Sequence, residues 1–152
     1  GIPAVHHPIA RVTMAKRKRF SESERTLMAR RAQNFCEYCK VFVPDTFEIE
    51  HIIPLIQGGS NELDNLAVSC GGCNNRKAAK ISATDPMTNL EVPLFHPRQD
   101  LWREHFQWND DFTEITGISP IGRATVELLQ LNRNGLILLR TVLFRHGNFP
   151  PN

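Results

Sequence analysis

The chain has 152 residues, 41% of them hydrophobic and 22% charged, with a net charge of +2. That length and balance suit one folded domain, or one with an appendage, and argue against wholesale disorder. No stretch approaches the roughly 20 apolar residues of a membrane span, and no apolar leader core opens the chain. A cytoplasmic location is therefore expected, with no membrane partner.

In chain order, residues 1–20 read as a flexible basic arm. Its first part contains Pro3, Pro8 and the His6-His7 doublet, shows no periodicity and is assigned no role. Lys16, Arg17, Lys18 and Arg19 then form a run able to neutralise phosphates. Ser21 with Glu24 three residues later is a capping box, predicting a helix from about Ser21 to Asn34 that leads into Cys36. Phe47 to Ile53 has the composition of a strand ended by Pro54, and Gln57-Gly58-Gly59-Ser60 reads as a turn. Asn61 to Asn65 is a polar loop, Leu66 to Ser69 a second strand, and Cys73 to about Ile81 a helix.

Residues 82–101, with Pro86, Pro93 and Pro97, read as irregular. Trp102 to Ile118 reads as a β-hairpin turning near Asn109-Asp110-Asp111, with Phe106 and Trp108 opposite Phe112 and Ile115. His105, without an acidic or ligating neighbour, reads as structural. Ser119-Pro120 starts a helix running to about Asn132. A second runs from about Asn134 to Arg145, with Leu136, Leu139, Val142 and Leu143 inward. The expected class is α+β: a β-β-α core with a helix before it and a hairpin and two helices after it. The expected division is the arm (1–20), the core (21–82) and an extension packed on the core (83–152).

Cys36-Glu37-Tyr38-Cys39 and Cys70-Gly71-Gly72-Cys73 are two CxxC pairs. Each presents two sulfurs, so together they predict a tetrathiolate structural zinc site at Cys36, Cys39, Cys70 and Cys73. Paired knuckles in a chain without an export signal favour metal-bound thiolates over disulfides. The 31 positions from Cys39 to Cys70 leave room for a strand, a loop and a second strand. Charge concentrates here too: residues 1–80 carry 12 Lys and Arg against 8 Asp and Glu, and residues 81–152 carry 6 against 8. A positive motif-bearing half suits a polyanionic partner.

Glu50-His51, Asn65 in an Asp-Asn-Leu setting, and Cys73-Asn74-x-x-Lys77 resemble the HNH endonuclease family, whose core is the ββα-metal fold. The steps of 14 from His51 to Asn65 and 9 from Asn65 to Asn74 suit that motif, as does the Gly58-Gly59 turn. The likeness covers about residues 30 to 80. It implies a single divalent cation, a histidine general base and phosphodiester hydrolysis, with DNA, most simply double-stranded, as the partner. By the same resemblance His51 is the base, and Asn65 holds the loop and bonds near the His51 ring. Glu50 and the Asn74 side-chain oxygen hold the cation. Glu50 stands where the family usually has Asp or His, and Asn74 where it has a final His. Both departures favour Mg²⁺ or Mn²⁺ there over Zn²⁺. Arg76, Lys77 and Lys80 join Lys16–Arg19 as expected phosphate contacts. Neighbours in a strand point to opposite faces, so Glu50 and His51 can share a site only where the strand bends or ends. The alternatives are a zinc-stapled module that binds nucleic acid without cutting it, and a protein-interaction adaptor.

Overall fold

A computed structural model describes residues 14–151; the His6-His7 doublet and the rest of residues 1–13 lie outside them. The elements are α1 (Glu22–Arg31), β1 (Glu48–His51), β2 (Leu66–Ser69), α2 (Gly71–Lys77), β3 (Ser82–Thr84), β4 (Glu91–Pro93), α3 (Trp102–His105), β5 (Phe106–Trp108), β6 (Ile115–Gly117), α4 (Pro120–Leu129) and α5 (Asn134–Arg145). The class is α+β, and the described residues hold three two-stranded antiparallel sheets pairing β1 with β2, β3 with β4 and β5 with β6. Among the described residues no helix is long and apolar enough to cross a membrane.

The predicted capping box is formed: the Ser21 hydroxyl accepts from the Glu24 N–H (3.1 Å), and the Glu24 carboxylate accepts from the Ser21 N–H (3.0 Å). α1 ends where Gln33 and Asn34 turn left-handed, with φ of 55° and 61°. Met28 enters the core, and Arg31 reaches the carbonyls of Leu63 (2.8 Å) and Leu66 (2.6 Å), lashing α1 to β2.

β1 and β2 pair in the register Glu48↔Ser69, Ile49↔Val68, Glu50↔Ala67 and His51↔Leu66. β2 is buried along its whole length, so its Leu-Ala-Val-Ser run shows no alternation. α2 begins two residues before the expected Cys73, because Cys70 is its N-cap and the Cys70 sulfur accepts from the Cys73 N–H (3.4 Å). It ends at Lys77 rather than Ile81, because Ala78 leaves helical geometry at φ 49°.

Residues 82–101 are not simply irregular. β3 and β4 form a hairpin whose turn is built on Asp85: its carboxylate accepts from the Met87 N–H (3.0 Å) and the Thr88 hydroxyl (2.8 Å), and its backbone N–H donates to the Leu90 carbonyl (2.8 Å). Strands of three residues are too short to write a period into the sequence. The Arg123 guanidinium grips both Asp85 oxygens at 2.9 Å, pinning this hairpin to α4. The hairpin expected over 102–118 is narrower than foreseen. Trp102–His105 is a helical turn, and Phe112 lies in the connecting loop at φ 58°.

Ser119 caps α4, accepting from the Gly122 N–H (2.9 Å) and sharing a hydrogen bond with Nδ1 of His105 (2.6 Å). Gly122 is required by close approach: a Cβ there would overlap the His105 carbonyl oxygen. On α5 the expected inward set is corrected. Leu136 is buried and Leu143 packs on the core, but Leu139 and Val142 are exposed. The inward stripe instead runs Leu136, Arg140, Leu143 at i, i+4 and i+7, through a fully buried arginine. A single hydrophobic cluster joins Met28, Tyr38 and Val68 of the first half to Phe106, Leu129 and Leu136 of the second.

Asp85 links two elements through a charge-assisted, forked contact. The Arg123 hydrogen bonds hold its carboxyl well below the usual carboxylate range. A depressed folded-state pKa contributes stability that is present above the unfolded value of about 3.9 and is lost as pH falls through the folded value. Asp85→Asn is therefore expected to melt lower than the parent at neutral pH, and the gap in Tm should close on acidification below about pH 4. Thermal melts of both proteins across pH 2–8 check it; a gap independent of pH would show the carboxylate charge to be irrelevant.

Candidate functional site

The four cysteines converge. One sulfur from each of Cys36, Cys39, Cys70 and Cys73 lies within 4.8 Å of the others, and the Cys39 and Cys70 sulfurs are 3.7 Å apart. A tetrahedron with Zn–S bonds of about 2.3 Å has edges of about 3.8 Å, so the donor set fits zinc. Backbone geometry brings them together. In the first knuckle the Cys36 N–H donates to the Val41 carbonyl (2.8 Å) and the Lys40 N–H to the Cys36 carbonyl (2.9 Å). Glu37 then docks that knuckle on β2, its carboxylate accepting from the Val68 N–H (2.7 Å) and its own N–H donating to the Val68 carbonyl (2.9 Å). Arg98 pairs with the same carboxylate.

The surrounding charge supports this assignment. A divalent ion on four thiolates carries two net negative charges. Arg133 directs its guanidinium at the Cys70 (3.6 Å) and Cys73 (3.8 Å) sulfurs. Arg140 has no exposed surface; it donates to the carbonyls of Cys39 (2.9 Å), Thr113 (2.9 Å) and Leu131 (2.6 Å) and pairs with no carboxylate among the described residues. A buried guanidinium without an anion is costly, and a tetrathiolate centre supplies one.

Beside this centre, β1 and α2 define a cleft of about 520 Å³ whose walls include Glu50, His51, Asn74, Asn75, Ile56 and Arg17. Glu48 and Glu50, two apart on the strand, share its α2-facing side, and Asn74 and Lys77, three apart on the helix, meet them. Asn74 donates to the Glu48 carboxylate (2.5 Å) and Lys77 pairs with Glu50 (2.6 Å). The second Glu50 oxygen accepts from the Tyr38 hydroxyl (2.5 Å). Burial pushes the Glu50 carboxyl up, against the pull of Lys77 and Tyr38, and burial beside Glu50 pushes the Tyr38 hydroxyl far above its usual range. His51 is the last residue of β1. Its side chain meets Asn61 through Nε2 (2.9 Å). Glu50 and His51 both line the cleft, with Pro54 just beyond the strand end.

Two sequence expectations are corrected. Lys77 is no phosphate contact: it is 1% exposed, and besides Glu50 its ammonium donates to the Ile52 carbonyl (2.8 Å), closing α2 on the end of β1. Asn65 holds the loop, as expected, but does not bond the His51 ring. Its amide clamps the Ile53 N–H (2.9 Å), the Ile53 carbonyl (2.9 Å) and the Ser60 carbonyl (2.8 Å). Gly59 is required inside that clamp, since a Cβ would overlap the Ile53 carbonyl. Arg76 and Lys80 are exposed on or just beyond α2, and Lys16, Arg17, Lys18 and Arg19 are exposed in the arm, where Lys18 pairs with Glu24 (2.8 Å).

Sequence reasoning missed Tyr38, Glu48, Asn61, Arg133 and Arg140. Only Glu48 left a signal, its two-residue spacing from Glu50 on a predicted strand. The others meet the site across gaps in sequence that no local pattern spans.

Residues 36–80 match the sequence model of the HNH endonuclease family. That stretch contains both knuckles, β1, β2 and α2. No curated protein and no solved structure matches the chain.

The buried pair and the sulfur centre give separate tests. Lys77→Ala strands a buried carboxylate and should cost about 3–5 kcal/mol in urea denaturation, whereas Arg76→Ala and Lys80→Ala should stay within about 0.5 kcal/mol. Equal, small effects from all three would return Lys77 to the surface. Cys70→Ser should lower bound zinc and remove part of the roughly 10–16 kcal/mol that structural zinc couples to folding. Metal analysis with circular dichroism before and after chelation measures both; a chelated parent that keeps its fold would contradict the stapling role.

Proposed function

We propose, from the match of residues 36–80 to the HNH endonuclease family, that this protein is a metal-dependent endonuclease hydrolysing DNA phosphodiester bonds. Double-stranded DNA is the preferred substrate in this reading. The observation that carries it is the meeting of Glu50, His51 and Asn74 in one cleft, with Arg17 of the basic arm on its wall. The zinc centre alone suits a binder as well as an enzyme; the cleft is what favours an enzyme.

Hydrolysis needs water made nucleophilic, charge relief on the phosphate and help for the leaving 3′-oxygen. His51 removes a proton from the attacking water; a new phosphorus–oxygen bond forms as the bond to the 3′-oxygen breaks, and the 3′-oxygen leaves with a proton from solvent. A neutral imidazole suits the first task because its ordinary pKa is about 6.5. Glu50 and the Asn74 side-chain oxygen would hold Mg²⁺ or Mn²⁺, which supplies charge relief on the phosphate and at the leaving oxygen. By donor type, a carboxylate and an amide oxygen suit such an ion. A carboxylate offers about four lone-pair sites, and Tyr38 and Lys77 occupy one on each oxygen. Asn74 donates through its nitrogen, leaving its oxygen available. Lys77 already balances the Glu50 charge, so Glu50 and Asn74 alone would bind such an ion weakly. Arg17, Arg76 and Lys80, with Lys16, Lys18 and Arg19, contact backbone phosphates.

Supercoiled plasmid incubated with Mg²⁺, Mn²⁺ or EDTA tests the reading. Cleavage is expected with the cations alone, falling by about 10²–10⁴ in His51→Ala, with zinc content and circular dichroism unchanged. A variant that cuts like the parent would remove His51 as the base. Salt-sensitive DNA binding with no cleavage under any cation would leave a zinc-stapled binding module.

A further inference from the structure

Asn61, a half-buried residue in the loop between β1 and β2, makes two hydrogen bonds that together decide the state of the His51 ring. Its amide nitrogen donates to the Lys16 backbone carbonyl (2.8 Å), and its Oδ1 lies 2.9 Å from Nε2 of His51. A backbone carbonyl can only accept, so the end of the amide facing Lys16 must be the nitrogen. The end facing the imidazole is then the oxygen, which also only accepts. Nε2 must therefore be the donor. In the neutral ring the remaining lone pair sits on Nδ1, for which no protein partner occurs among the described residues.

We infer that Asn61 is a positioning residue that holds His51 in its Nε2–H tautomer and makes Nδ1 the proton-accepting atom. The carbonyl of Lys16, in the basic arm, fixes which way the Asn61 amide faces. This rests on the reading of His51 as the general base and adds a regulatory consequence. The stretch expected to grip substrate phosphates is the one whose backbone orients the base. Phe20, just beyond that stretch, is tilted beside the same imidazole at 6.4 Å between ring centroids.

The test uses the full chain labelled with ¹⁵N-histidine, with His51→Ala to assign the ring and two-bond ¹⁵N–¹H spectra to locate its proton. The parent should carry the proton on Nε2. Asn61→Asp, which still accepts from Nε2–H but cannot donate to the Lys16 carbonyl, should keep that tautomer. Asn61→Ala should yield a mixture of tautomers and a kcat on plasmid lower by about 10–100-fold, with KM and zinc content held. A parent ring protonated on Nδ1, or an alanine variant whose ring spectrum or kcat equals the parent's, would overturn the inference. Absence of cleavage by the parent counts against the nuclease reading instead; the ring spectrum still decides the tautomer.

Discussion

Four sulfur atoms from two distant knuckles must occupy one small volume, and the rest of the fold follows from that constraint. Cys36 and Cys39 stand at the end of the segment after α1, and Cys70 and Cys73 at the start of α2. Holding them together forces the intervening chain out and back as β1 and β2. It also sets the first turn of α2 beside the strand that carries Glu50 and His51. A short two-stranded sheet is marginal alone, and this one is secured through the Glu37 contacts to Val68 and the sulfur cluster behind them.

The second half of the chain answers the charge of that centre. Arg133 faces the sulfurs and Arg140 is sealed beneath the first knuckle with its N–H groups on carbonyl oxygens. A guanidinium suits this position because its fixed fork satisfies several acceptors at once and it stays charged when buried. Through its N-cap Arg133 and through Arg140, α5 thus complements the four-cysteine centre electrostatically. One hydrophobic cluster runs through both halves as well.

The cleft shows how a motif mixes architecture with chemistry. Lys77 belongs to the pattern that resembles the family, yet its ammonium is buried against Glu50 and the Ile52 carbonyl. Asn65 acts on the backbone after His51 and not on the ring. The contact to the imidazole comes from Asn61, in the same loop but outside the recognised pattern. Residues of one motif can thus serve to dock one helix on one strand.

Much was written locally. The capping box of Ser21 and Glu24, the Ser119-Pro120 helix start, the strand Leu66–Ser69 and the CxxC spacing each depend on neighbours within a few positions, and each was legible in the chain. The β3–β4 hairpin was not, because its strands are too short for a period and its docking on α4 depends on Arg123, 38 positions away. Nor was the inward face of α5, where a count of apolar residues puts Arg140 outside and Leu139 in. By itself the sequence determined which short-range elements form and which side chains have chemistry to offer. Tertiary structure alone decided which charges are covered and which partner each polar group meets. Burial and pairing depend on what arrives from far along the chain, and no local pattern carries that information.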